Sequence, residues 1–430
     1  MQQAVRTIKA RVGLNVCSLI LLSATLAGVA FAQESSQTSE GDHETIKTLL
    51  QRVAQLEAEI QELKASQGKP APPVQSEAAP SPAVTTPPAN ENETVDVHQA
   101  MEQPALKFHG LQFRGFADVG WHASDLKGAT NSFALGQLDL FMTSQLSQKL
   151  NVLGELVFES DESNAFGVDL ERFLLQYAAS DYFKLGIGRY HTAIGYYNTA
   201  YHHGTWLQTA VGRPFIFLFE DGGGILPIHN VGLTATGAIP SGGLGLHYVV
   251  EVGNGRTSHS SSAEAVQNVV DENNGKAVNL ALFARPALLP GLQTGFSVYR
   301  DNLTPIGLPN ISETISDGYV VYTKAPWELL NEGILIRHAI NGSGLSFNSP
   351  AFYTQISRQF GVLRPYFRYQ YLNISGREPI FGNVSRQNGP SLGLRYDFAE
   401  SAAFKVQYDR SARRNLPPFN ELQLQVAFTF

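Results

Sequence analysis

The last ten residues, Glu421 to Phe430, read ELQLQVAFTF. Leu422, Leu424, Val426, Phe428 and Phe430 fall on one parity, and Gln423, Gln425, Ala427 and Thr429 on the other. Successive side chains of a strand point to opposite faces, so this run predicts a strand with one apolar and one polar face. The run reaches the last residue, Phe430. A barrel in a membrane must pair its final strand with its first, because hydrocarbon offers no water to an open sheet edge. The expectation is an all-β chain: a transmembrane antiparallel β-barrel.

The other end of the sequence reads as export and tether. Arg6, Lys9 and Arg11 precede an apolar run centred on Leu19–Val29, and Ala30-Phe31-Ala32 has the small-x-small form of a cleavage site. Residues 1–32 are expected to be a signal peptide, the run being short for a spanning helix. The single cysteine, Cys17, lies inside it, so no disulfide or sulfur metal site is expected in the exported chain. Residues 33–66 are expected to hold a coiled-coil helix. Ile46, Val53 and Ile60 take one heptad position, and Leu49, Leu56 and Leu63 fall three residues later each time. A helix this short is marginal alone in water, so self-association is its natural stabiliser; folding back on its own barrel is the alternative. Residues 67–105 are a Pro/Ala-rich linker, broken by Pro70, Pro72, Pro73, Pro80, Pro82, Pro87, Pro88 and Pro104. Such a composition is extended and solvated.

From residue 106 to 430 the chain becomes a series of alternating segments, sixteen in all. They centre on Phe113–Trp121, Leu138–Gln145, Val152–Glu159, Leu170–Tyr177, Phe183–Arg189, Val231–Thr236, Leu244–Val250, Val278–Phe283, Thr294–Tyr299, Tyr319–Lys324, Ile334–His338, Phe352–Ser357, Pro365–Tyr371, Leu392–Phe398, Ala403–Tyr408 and Glu421–Phe430. About twenty residues per strand and loop suits a porin-sized barrel of about sixteen strands. Helical patterns between the strands are missing, which argues against parallel βαβ units.

The formal net charge of −7 is unevenly divided. The signal carries +3, residues 33–106 carry −8, and residues 107–430 carry −2. No basic domain is present to meet phosphates, so nucleic-acid binding is not expected. Alternation assigns facing within each strand. Asp118, Asp139 and Glu155 are expected to line an acid-biased early wall, broken by Arg172. Arg337, Arg364, Arg368, Arg395 and Lys405 are expected to line a late, basic wall, with Arg337 opposite Ile334, Ile336 and His338. Such separation sets a transverse field across a wet lumen. A one-residue slip of register would invert each facing.

The stretch Gly188–Gly232 is too long and too aromatic for a turn, and long structured loops are usually functional. Tyr190, Tyr196, Tyr197, Tyr201, Trp206 and Phe215 give it apolar surface to fold inward. Arg189, Tyr190, His191, Tyr197, His202, His203, Arg213, Glu220 and Asp221 are expected to form a constriction. The spacing of the histidines and carboxylates matches no closed metal motif, and adjacent His202 and His203 point apart on a strand, so no metal and no other cofactor is expected. No G-x-S-x-G elbow is present, and GGLGLH at 242–247 lacks the helix that a phosphate cradle needs.

The alternating terminal strand ending in Phe resembles that of bacterial outer-membrane proteins. Gly188-Arg189-Tyr190, Ala193-Ile194-Gly195 and Arg213-Pro214 resemble the corresponding region of phosphate-selective porin O and P relatives. Those relatives favour a proline turn where this chain has Ala193-Ile194. The barrel segment holds only seven lysines and so lacks a lysine ladder. A heptad helix before a linker is likewise similar to trimeric porins with a periplasmic coiled-coil extension. The resemblance implies a substrate-selective diffusion channel for small polar or anionic solutes, without implying phosphate. It also implies a homo-trimer in outer-membrane lipid, delivered by the barrel assembly machinery, with a periplasmic stalk and no enzymatic activity. Two other functions are compatible with the pattern: a plugged barrel tethering the cell wall, and an outer-membrane barrel hydrolase. Deleting residues 43–65 is expected to leave a folded barrel while weakening its oligomers, because the coil adds avidity through the linker rather than building the sheet. Native mass spectrometry of the two forms tests this, and identical oligomers would assign the stalk another role.

Overall fold

The computed structural model describes residues 106–430 apart from 109, 161–164, 202–203, 220–222, 259–268 and 383. The expected signal peptide, the heptad seam of Ile46, Leu49, Val53, Leu56, Ile60 and Leu63, and the linker lie outside the described residues.

Among these residues the chain forms β1 (Leu106–Phe108), β2 (Leu111–Ser124), β3 (Ser132–Gln145), β4 (Leu150–Ser160), β5 (Phe166–Ser180) and β6 (Phe183–His191). After a long insertion come β7 (His229–Ile239), β8 (Leu246–Gly253), β9 (Ala277–Ala284), β10 (Leu292–Leu303), β11 (Ile311–Tyr322) and β12 (Trp327–Ile340). The sheet ends with β13 (Ser346–Arg358), β14 (Leu363–Asn373), β15 (Arg386–Ala399), β16 (Ala402–Arg413) and β17 (Phe419–Thr429). Each of β2 to β16 pairs antiparallel with its successor, and β17 pairs back onto β2, closing a sixteen-stranded barrel. Strands of about ten residues suffice to cross a bilayer when tilted.

The closure is the terminal strand anticipated from its alternation. Val426 lies opposite Val119 and Thr429 opposite Phe116. Phe430 and Gly115 then exchange backbone bonds, Gly115 N to Phe430 O at 2.8 Å and Phe430 N to Gly115 O at 3.0 Å. The short β1 continues along the same edge of β2, with Leu106 opposite Phe113. No length of the β2 edge from 111 to 124 is left without a neighbouring strand, apart from the single position Arg114 between the two ladders.

The side chains invert the usual arrangement of a water-soluble sheet. Phe173, Leu175 and Tyr177 on β5, Val298 on β10, Val320 on β11, and Leu422 and Val426 on β17 are exposed on the outside. Inside, Asp139, Glu155, Arg172, Glu332, Arg368, Lys405 and Gln407 are buried. An apolar exterior around a polar interior is the pattern a lipid-embedded barrel requires.

All sixteen expected segments coincide with barrel strands. Boundaries moved most at β11, which begins at Ile311 rather than near Tyr319. Its inward residues mix Ile311, Glu313, Ile315, Asp317 and Tyr319, so polarity does not alternate cleanly there. Facing follows the sequence reading at Asp118, Asp139, Glu155, Arg172, Arg364, Arg368, Arg395 and Lys405, which are buried or half-buried on the lumen side. It is inverted on β12. Glu328, Leu330, Glu332, Ile334, Ile336 and His338 are buried inward, whereas Asn331, Leu335 and Arg337 are exposed. Arg337 is therefore not a pore-lining residue. The cause is an inner face that carries Leu330, Ile334 and Ile336 among its acids, because the apolar side of the insertion packs on it.

The ring of Phe430 covers Gly115, where an added Cβ would stand 2.3 Å from its Cζ. Phe430→Asp is expected to reduce the heat-modifiable folded barrel sharply, and Gly115→Ala to reduce it less, since the ring can move aside. Heat-modifiability on gels measures both, and wild-type levels of the Phe430→Asp barrel would separate closure from this contact.

Candidate functional site

The connections at one rim are short, spanning 146–149, 181–182, 240–245, 285–291, 323–326, 359–362 and 400–401. The opposite rim carries the longest, 192–228, between β6 and β7. It contains a helix, Tyr196–Ala200, and single turns at Thr205–Leu207 and Phe215–Phe217. Instead of projecting from the rim it enters the barrel and is bonded to the far wall.

Its descent begins with carboxylates that receive backbone amides. Glu251 on β8 accepts from Ala193 N with both oxygens at 3.1 Å, and from Asn279 Nδ2 at 2.8 Å. Glu332 on β12 accepts from Tyr196 N at 2.6 Å and Tyr197 N at 3.0 Å, and from the Tyr353 hydroxyl. It caps the helix, whose preceding residue Gly195 offers no side chain. Gly195 sits at φ 77°, and a Cβ there would stand 2.5 Å from Phe217 Cζ and 2.7 Å from Glu332 Oε2. Only glycine fits both the backbone conformation and the space. Glu328, four residues earlier on the same face of β12, accepts from Tyr201 Oη at 3.2 Å, Thr209 Oγ1 at 3.0 Å and Gln355 Nε2 at 2.8 Å. Burial pushes the hydroxyls of Tyr196, Tyr197 and Tyr201 up from their ordinary range, which keeps them neutral.

The middle of the insertion is gripped by the expected basic wall. Arg395 Nη1 donates to the carbonyls of Trp206 at 2.6 Å and Gln208 at 2.9 Å. Lys405 Nζ donates to Thr205 O at 2.7 Å and Ala210 O at 3.4 Å. Arg368 donates to Gly212 O at 3.1 Å and Gln355 Oε1 at 2.9 Å, and Arg364 to Thr209 Oγ1 at 3.3 Å. Val211 N and Phe215 N donate in turn to Gln407 Oε1 and Gln370 Oε1, each at 3.0 Å. Thr205 Oγ1 reaches Asp118 Oδ1 at 3.1 Å. The sequence reading brought these basic residues to one wall, and the structure does so too. The partners of Arg368, Arg395 and Lys405, however, include loop carbonyls, and Arg364 bonds a loop hydroxyl; Arg368 and Lys405 are essentially fully buried.

An apolar cluster completes the docking. Ile194, Tyr197, Ile216, Phe217, Ile225, Leu226 and Ile228 pack with Leu330, Ile334, Ile336, Tyr353 and Leu372 of the wall. Each such side chain contributes about 1.5–3 kcal/mol when fully removed from water, which explains why Leu330, Ile334 and Ile336 of β12 face inward.

Tyr197 lies in the apolar cluster, and the other expected constriction residues divide into three groups. Arg213 staples the insertion to itself: Nη1 donates to Tyr201 O at 2.8 Å, Nε to Phe217 O, and its guanidinium covers the Phe219 ring at 4.1 Å. Arg189, Tyr190 and His191 are buried at the root, where Arg189 Nε donates to Glu171 O at 2.9 Å and His229 lies 2.8 Å from the Glu171 carboxylate. His202, His203, Glu220 and Asp221 lie outside the described residues. On the acid-biased wall Arg172 pairs with Glu155 at 2.5 Å and covers Phe141 at 5.3 Å. Sequence reading missed Glu251, Glu328 and Glu332. The signal for the last two was present: acids four residues apart share one parity with Leu330, Ile334 and Ile336.

Below the insertion, toward the short-turn rim, lies a cavity of about 940 Å³ against β3 to β11. Gln112, Thr143, Asn151, Gln176 and Thr236 line it beside Lys149, Arg172 and the apolar Val152, Leu153 and Leu174.

No protein-family model and no curated protein sequence matches this chain. Solved structures do resemble it. The anion-selective porin from Comamonas acidovorans matches with TM-score 0.54 at 12% identity, covering 74% of this chain and 99% of that one. Salmonella typhi OmpF, in complex with daunomycin, matches with TM-score 0.53 at 13% identity, covering 76% and 100%. The outer membrane channel DcaP of Acinetobacter baumannii matches with TM-score 0.52 at 11% identity, covering 76% and 100%. The chain has the fold of a sixteen-stranded outer-membrane porin barrel.

Substituting Arg395 and Lys405 together by Gln is expected to loosen residues 205–212. A buried group stripped of its partner costs about 1–3 kcal/mol, so the open population should rise about tenfold or more. Limited proteolysis of the folded barrel reads this directly, and an unchanged cleavage rate would place the anchoring in the apolar cluster alone.

Proposed function

We propose that the protein is a non-enzymatic outer-membrane porin, whose loop-restricted lumen passes small polar solutes, anions among them, by passive diffusion. The observation that carries this reading is the insertion 192–228. It is pinned across the lumen by the wall it meets, and a polar cavity of about 940 Å³ remains on the other side. A fixed constriction beside a wet, polar wall selects by size and charge without a catalytic step. The fold likeness to porins and channels supports the same reading. The short-turn rim would face the periplasm, the heptad helix would hold three copies together there, and the alternating terminal strand would be read by the barrel assembly machinery.

The inferred selectivity differs from what the sequence suggested. With Arg364, Arg368 and Arg395 bonded to the insertion or to neighbouring wall side chains, their replacement should disturb the loop before it alters ion preference.

A second reading, the plugged barrel acting as a tether, is favoured by one observation: the apolar cluster fills the lumen against β10 to β14. Planar-bilayer recording separates the two. Wild-type protein is expected to give discrete single-channel steps, and deleting residues 197–226 to raise conductance several-fold, since a pore widens when its narrowing segment is removed. Current from the deletion alone would establish the plugged barrel. Silence from both would remove the channel reading.

A further inference from the structure

Facing sorts the charges of β10 to β13. Their five acids, Asp301, Glu313, Asp317, Glu328 and Glu332, are all buried on the inner side. Their three arginines, Arg300, Arg337 and Arg358, are all exposed on the outer side. Arg358 stands at the short-turn rim, where its guanidinium lies 5.0 Å from the Trp327 ring centroid and 4.8 Å from that of Phe360. Arg300 and Arg337 lie toward the other rim, and among the described residues neither has a bonded partner.

Their height on the wall is set by the strand. Arg337 is ten residues along β12 from Trp327. At about 3.3 Å per residue and a tilt of about 40°, that is roughly 25 Å of height, the thickness of the apolar band on an outer-membrane barrel. Trp327 and Arg358, paired across β12 and β13, mark one membrane surface. Arg300 and Arg337 therefore stand at the other, where lipid headgroups begin. The register also puts them on one level. Arg300 lies opposite Thr314 of β11, Thr314 opposite Arg337, and Arg337 opposite Asn348. Two strand spacings, about 10 Å, separate the two arginine backbones.

Beneath them the outer wall carries a groove. The outward residues of β11 shrink from Thr314 through Ser316 to Gly318, and Gly318 lies opposite Gly333 of β12. Phe296 is paired with Gly318 and Phe352 with Gly333, so the two rings flank the glycine pair. One row higher, Val298 and Leu335 flank Ser316. All four of these apolar side chains are exposed. Neither glycine is required by its backbone, since both lie outside the left-handed region. Nor is either required by crowding. A Cβ on Gly318 would meet nothing within 4 Å, and one on Gly333 would first meet Phe352 Cβ at 3.7 Å, an ordinary contact. Strand propensity favours larger residues at both positions, and a glycine kept against it marks a close approach by something else. From Thr314 to Gly318 the groove runs about 13 Å, four residues at 3.3 Å each.

We propose that this outer face binds one phosphorylated membrane lipid. Arg300 and Arg337 hold its phosphate over Thr314, and an acyl chain lies in the groove floored by Ser316, Gly318 and Gly333. Guanidinium takes phosphate through a planar fork, and basic pockets on a membrane wall recognise anionic headgroups in this way. No acid of β10 to β13 shares the outer side to compete for the arginines. The phosphate belongs to a lipid, because the arginines sit on the bilayer-facing wall directly above exposed apolar rows. The site rests on the barrel lying in a bilayer, and it is independent of whether the lumen conducts.

Native mass spectrometry of the full-length folded protein in a neutral maltoside detergent reads the lipid it retains. The probes are dimyristoyl phosphatidic acid, dimyristoylglycerol, which lacks the phosphate, and glycerol 3-phosphate, which lacks the chains. Phosphatidic acid is expected to bind more tightly than either of the others. Replacing Arg300 and Arg337 together by Gln should weaken it at least about tenfold, the size expected for losing a charged hydrogen bond. Gly318→Leu fills the groove without touching the charge and should weaken it too. Arg337→Lys should keep most of the affinity, which separates loss of charge from loss of fold, and Arg358→Gln at the other rim should change nothing. Equal retention of dimyristoylglycerol, equal binding of glycerol 3-phosphate, or unchanged affinity in the double Gln variant or in Gly318→Leu overturns the site. So does loss of oligomer mass in the double variant with its lipid retained, which makes the face a contact between copies.

Discussion

Hydrocarbon cannot hydrogen-bond a peptide group, and the architecture follows from that fact. A strand edge in lipid leaves each unpaired N–H and C=O at a cost of several kcal/mol, so the sheet must close. Here closure rests on β17 meeting β2, with Phe430 and Gly115 exchanging the last two bonds and β1 continuing the same edge. Once the ring is closed, alternation does the rest. Residues outside must be apolar, and residues inside must be wetted or bonded. Local irregularities at Ala117/Val119, Glu155/Leu156 and Tyr396/Ala399 adjust the register without opening the ladder.

The same demand governs the insertion. Irregular backbone at membrane depth is tolerated only where protein or water satisfies it. The lumen wall supplies partners sorted by charge. Acids on β8 and β12 receive amides at the start of the segment, from Ala193 to Tyr197. Bases on β14, β15 and β16 donate to carbonyls in its middle, from Thr205 to Gly212. The separated charges of the barrel are therefore complementary to the direction of the docked chain. A charged partner makes each of these bonds worth about 1.5–3 kcal/mol, against about 1 for a neutral pair. Several in parallel hold a segment with little regular structure of its own.

Much of this was legible in the residues. Period-two alternation located all sixteen barrel strands, and parity placed Arg368, Arg395 and Lys405 inside. Length and aromatic content marked 188–232 as an inward fold. What failed has one cause. Polarity reports facing only when one side is wet and the other greasy. On β12 the inner face meets the apolar side of the insertion, so Ile334 and Ile336 point inward and Arg337 outward. The partners of an inward arginine are equally invisible in sequence. Arg395 reads the same whether it faces water, an anion or the carbonyl of Trp206. The acids that dock the segment, Glu328 and Glu332, became readable as a pair only with the facing of β12 in hand.

Docking also makes the lumen one-sided. The insertion and its apolar cluster occupy the side of β10 to β14, among buried tyrosines and isoleucines. The neutral amides, hydroxyls and cavity-facing cations lie against β3 to β11. Water in this cavity runs off-centre, along the polar wall and past Lys184 and Arg285. Charge sensed there acts at short range in a confined space. It is consequently less screened by salt than charge at an open mouth, where the Debye length is about 8 Å at physiological ionic strength. A near-neutral barrel can be selective on these terms, because selectivity is set by the few charges that face the remaining water and not by the sum over the wall.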